Sequence, residues 1–160
     1  MKKILFFCFA ALCLIAGGII IPGKKNTYFA NNKLVLSCSA KVDIEIRQPD
    51  ALAHMEGRLS LTTLGSKRLA LLYTGRLVAP EGRFILSRTL LMDYRYHPEN
   101  HALELSWGQS IVSETDTVPD EVFYRNLMKS RSFILYLTRF NQHAWLVSGL
   151  TTPLYVCNDE

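Results

Sequence analysis

No Cys-x-x-Cys pair occurs in the sequence, which excludes a zinc ribbon and a thioredoxin-type redox centre. No glycine loop is present that would cradle a phosphate. Ser110 sits in Gly108-Gln109-Ser110-Ile111-Val112, which lacks the second glycine of a nucleophile elbow. Histidine is scarce: His54, His97, His101 and His143 are all there is. His97 and His101 have the spacing of two metal ligands on one helix face, but Pro98 and the adjoining turn residues oppose a helix there. The acidic residues are scattered along polar strand faces. No catalytic constellation, metal site or cofactor is expected, and the chain does not read as an enzyme. Internal repeats and low-complexity stretches are also missing. The length of 160 residues allows one domain with an appendage, and 49% apolar residues are too many for a disordered tail.

What is present begins with charge. Lys and Arg number 18 against 14 Asp and Glu, a net charge of +4 that invites a nucleic-acid reading. Four of the lysines are Lys2, Lys3, Lys24 and Lys25, which bracket an uncharged apolar run from Ile4 to Ile21. From Asn26 onward the basic and acidic residues balance. Nucleic acid is therefore not an expected partner.

The apolar run covers 18 residues, ~27 Å as a helix, against a hydrocarbon core of ~30 Å. A cleaved signal and a retained signal anchor both fit. Ala16-Gly17-Gly18 could serve as a cleavage site, but three isoleucines follow it directly. Its length and flanking lysines favour an anchor over residues 1–25, a tether over 26–32 and an exported β-rich domain over 33–160. The expected location is the inner membrane, single-pass, with the N-terminus cytoplasmic and the C-terminal domain periplasmic. The alternative is a periplasmic protein released by signal cleavage.

The four cysteines divide two and two. Cys8 and Cys13 fall in the apolar run and read as small apolar residues. Cys38 and Cys157 lie near the two ends of the exported part. In an oxidising compartment a disulfide between them would tie the first strand to the last; two unpaired buried thiols are the alternative.

The exported part alternates with a period of two. Leu34, Leu36, Cys38, Ala40, Val42, Ile44 and Ile46 share one face of a first strand. Further strands are expected over 55–64, 69–77, 83–96, 103–107, 133–140, 144–148 and 154–157. Between the fifth and sixth, Gly108 to Val118 reads as a loop. Thr117 is then placed to cap a helix starting near Pro119, with Asp120 and Glu121 in its first turn and Lys129 and Arg131 in its last. The fold class is mainly β (α+β): a curved antiparallel sheet or open small barrel with one helix. Phe84, Tyr94, Tyr96 and Trp107 share an inward parity and are the expected pocket for an amphipathic small molecule, with ordinary core packing as the alternative.

A family resemblance rests on several of these features together. They are the two-lysine start, the single apolar segment, the β-rich domain, Phe133 to Phe140, Trp145, and the run Thr152 to Cys157. The chain resembles the FidL-like bacterial inner-membrane proteins over essentially its whole length. The resemblance implies an accessory role like that of ToxS-like proteins. The expected partner is a membrane-bound winged-helix transcriptional regulator of the ToxR or CadC type, encoded nearby.

Overall fold

The computed structural model describes residues 29–30, 33–49, 51–65 and 67–160. The apolar run, Cys8, Cys13 and most of the expected tether lie outside the described residues. Among those described, no helix is long and apolar enough to cross a membrane.

Eight strands form an up-and-down barrel. After a small hairpin of β1 (Phe29–Ala30) and β2 (Lys33–Leu34), the staves follow in chain order. They are β3 (Ser37–Gln48), β4 (Ala51–Leu64), β5 (Arg68–Ala79), β6 (Gly82–His97), β7 (Ala102–Val112), β8 (Ser132–Asn141), β9 (Ala144–Ser148) and β10 (Pro153–Asp159). Each pairs antiparallel with the next, and β10 returns to β3. The expected eight strands are thus present, but they close into a barrel where an open one or a curved sheet was anticipated. Closure pairs the two outer strands of the meander, β3 and β10, at Cys38 and Ser39.

Alternation decides what the barrel holds. Cys38, Ala40 and Val42 point inward from β3, Leu59 and Leu61 from β4, Leu69, Leu71 and Tyr73 from β5, and Leu86, Leu90 and Met92 from β6. Leu103, Leu105, Leu137, Trp145 and Val147 complete the core on the remaining staves. The tight hairpins sit where turn chemistry predicts them. Ala79 pairs with Gly82 around Pro80-Glu81, and Gln48 pairs with Ala51 around Pro49 and residue 50.

Two expectations need correction. Residues 108–112 are not loop: β7 runs on to Val112 and pairs with β6 as far as Arg88, across a bulge at Leu91/Met92. Their sequence, Gly-Gln-Ser-Ile-Val, carries no clear alternation, so pairing rather than pattern makes them a strand. The helix α1 (Asp120–Asn126) has seven residues and stops short of Lys129 and Arg131. Pro119 occupies its N-cap position, and no side chain caps it. The Thr117 hydroxyl instead accepts a hydrogen bond from the Ile85 amide at 2.8 Å.

Candidate functional site

The barrel closes unevenly. Along β3, every residue from Ser37 to Gln48 pairs with β4, whereas only Cys38 and Ser39 pair with β10, opposite Asp159 and Asn158. From Ala40 onward β3 and β10 part. The closed end of this seam is strongly fastened. A disulfide joins Cys38 to Cys157, with a Cα–Cα distance of 5.4 Å and no exposure at either residue. Arg139 grips the Asp159 carboxylate at 2.7 and 3.1 Å, and the Trp145 indole N–H donates to it at 3.0 Å. These hydrogen bonds, the Arg139 ones foremost, hold the Asp159 carboxyl below the usual carboxylate range.

The space behind the parted strands is open to the gap. A cavity of about 820 Å³ reaches from the gap to Leu59, Leu71 and Tyr73 on the far staves and to Phe133 and Leu135 on β8. Its lining is apolar apart from a few groups. Tyr73 and Tyr155 are drawn into it, and burial pushes both phenols well above their ordinary range, so they stay neutral donors. Neither hydroxyl has a hydrogen-bond partner among the described residues. At the mouth stand Lys41 and Asp43 on the β3 edge, Lys129 beyond the helix, and Leu154, which is 54% exposed. Asp43 is hydrogen-bonded to His54, and that contact raises the His54 pKa.

The β7–β8 connection forms one wall. α1 crosses this end of the barrel and inserts Phe123, which meets Tyr73 edge-on at 5.5 Å. Asn126 ends the helix by turning its amide inward, donating to the Val122 carbonyl at 2.8 Å and accepting from the Gln48 side chain at 2.8 Å. Arg125 pairs with Glu81 on the β5–β6 hairpin. Leu127 to Ser130 then descend along the cavity.

The loop ahead of the helix is held from inside the barrel by Arg88, which is only 1% exposed. Its guanidinium contacts the fully buried Asp116 side chain at 3.0 Å, the Val118 carbonyl at 2.6 Å and Asp120 at 2.8 Å, and stacks over Phe123 at 4.5 Å. Sequence reasoning missed Arg88, although its position has the same parity as Leu86 and Leu90. It also missed Lys41, Tyr73 and Tyr155 as cavity groups, because nothing in a strand pattern tells which stave lies beside a gap.

The four aromatics expected to form a pocket are inward by parity but do not meet in this cavity. Phe84 borders a separate, smaller cleft with His54 and Arg83. The Tyr94 hydroxyl donates to the Leu34 carbonyl at 3.4 Å, and the Tyr96 hydroxyl contacts His101 at 3.1 Å. Trp107 packs on Tyr124 at 5.4 Å in a groove beside Arg131. A strand of sixteen residues spreads same-face side chains over the full barrel height, so shared parity does not bring them to one level. His97 contacts Glu99 and Glu104, and no group of three or more potential metal ligands converges among the described residues.

No curated protein matches this chain. One protein family does, described as "FidL-like putative membrane protein", over residues 75–157. The match runs from the middle of β5 through α1 to Cys157 and covers more than half of the sequence, so the chain belongs to the FidL-like family.

Proposed function

We propose that this protein is a membrane-anchored accessory subunit with a non-enzymatic exported barrel. In this reading the barrel binds and modulates a neighbouring membrane-bound winged-helix regulator of the ToxR or CadC type. The observation that carries the reading is the parted seam. β3 beyond Ser39 is paired on one side only, so its other edge is open to a strand from a partner. Pairing of this kind gives affinity through main-chain hydrogen bonds and needs no sequence motif. Membership of a membrane-protein family and a disulfide, which persists in oxidising compartments, support an exported domain beside the membrane.

The test is photo-cross-linking in cells from Glu45 on the open edge of β3, with Arg76 on β5 as a control position. Capture of the adjacent regulator from Glu45 and not from Arg76 is expected, together with altered regulator level or target transcription when this protein is deleted. Unchanged regulator behaviour and no capture from the seam would discard the reading.

A further inference from the structure

The cavity behind the seam is built like a ligand site; it opens on the same β3 edge that the accessory reading gives to a partner strand, but its ligand can be tested on this protein alone. From its volume and charge we infer that it binds a single-chain amphiphile with an anionic head group, the chain inside the barrel and the head at the gap between Lys41 and Lys129. Three observations support this. At about 820 Å³ the cavity falls in the size range of small-molecule pockets, and its walls are Leu59, Leu71, Phe133 and Leu135. An open pocket of this size lined by aliphatic side chains leaves apolar surface facing water, which an acyl chain covers.

Polar groups are placed where a head group would enter. Lys41 and Lys129 make no ion pair among the described residues, while Asp43, the acid at the mouth, is already engaged by His54. The mouth therefore presents free positive charge. Deeper in, the hydroxyls of Tyr73 and Tyr155 are neutral donors without partners, able to satisfy a carboxylate or ester oxygen on its way past the gap.

The chemistry is shared by a free fatty acid and by an anionic membrane lipid, and the experiment separates them. Full-length protein is placed in phosphatidylcholine nanodiscs, and binding of laurate, dodecyltrimethylammonium and dodecyl maltoside is measured by equilibrium dialysis against empty nanodiscs. Saturable laurate binding at one site is expected, with the cationic and neutral surfactants weaker. The double variant Lys41→Glu, Lys129→Glu should weaken laurate about tenfold, since two partly exposed ion pairs are lost. Leu71→Phe should abolish binding by filling the hollow; formation of the disulfide and retained circular dichroism establish that the variant is folded. If Leu71→Phe does not fold, the surface double variant carries the test alone. Phosphatidylglycerol in the nanodiscs displacing laurate would identify a lipid as the source, and no displacement would identify a free amphiphile. Absence of saturable laurate binding, equal affinity for the cationic surfactant, or indifference to charge reversal would each overturn the inference. Because the partner takes no part, failure here leaves the accessory reading intact, and the reverse holds as well.

Discussion

An arginine inside a barrel must bring its counter-charge with it, and Arg88 does so through Asp116. The pair is almost wholly withdrawn from water, so its attraction does not by itself guarantee a net gain over an apolar pair of the same size. Removing one member is another matter, because the remaining charge stays buried. Arg88→Met should cost about 3–5 kcal/mol, read as a lowered urea midpoint, with the α1 loop loosened first. Asp116 would keep the Ser87 and Val118 amides as donors, which offset part of the loss. The double variant Arg88→Met, Asp116→Asn should recover part of the lost stability. A single variant as stable as the parent would mean that the loop is held by Phe123 packing and not by charge. Arg88 was visible in the sequence as a charged residue at an inward position of β6, flanked two residues either way by leucines. Asp116 was not, since its loop carries no period and only the fold brings it beneath Arg88.

At the scale of elements, the strands were legible because a half-buried stave must alternate, and seven of the eight were placed within a few residues of their observed bounds. The exception, the far half of β7, does not alternate: Gly108, Gln109 and Ser110 lead into the exposed apolar neighbours Ile111 and Val112, and the segment becomes a strand only by pairing with β6. The helix was overextended because Lys129 and Arg131 look like dipole partners. In the fold one stands at the cavity mouth and the other over the Trp107 ring at 5.7 Å. Two glycines inside strands carried a message that alternation does not express. Gly57 and Gly75 pair directly across β4 and β5, where the backbones approach so closely that a Cβ on Gly75 would lie 2.2 Å from the Glu56 carbonyl oxygen. Gly75 also has φ +148°, a region closed to other residues. Gly75→Ala should therefore destabilise by roughly 1–3 kcal/mol through backbone strain, with the carbonyl clash added to it. Gly65→Ala, at φ +72° with no atom within 4 Å of the added methyl, should cost only about 1 kcal/mol. Equal losses in thermal denaturation would show that conformation, not close approach, governs both positions.

For the molecule as a whole, the question is what keeps an eight-stranded meander closed when its last seam has two paired residues on each side. Alternation is the same in an open sheet and a barrel, so the sequence pattern left closure undecided. Only the cysteine pair at opposite ends of the domain pointed toward it. The disulfide spans a sequence separation of 119, and in the chain-entropy model so long a loop contributes about 4–5 kcal/mol, with about 2–5 kcal/mol the usual observed loss on removal. Cys38→Ser, Cys157→Ser should therefore lower stability within that range while leaving the β4–β5 and β5–β6 ladders formed, since β5 is paired with β4 over residues 68–78 and with β6 over residues 68–79. Hydrogen exchange gives the sharper reading. Protection should fall at Cys38, Ser39, Asn158 and Asp159 and along the neighbouring parts of β3 and β10, and should persist on β5 and β6. The Arg139–Asp159 pair remains after the cysteines are replaced and sets a floor on how far the seam opens. Were protection instead to fall evenly around all eight strands, the barrel would be one cooperative unit, and the disulfide would act on the unfolded chain alone, not as the clasp of this seam.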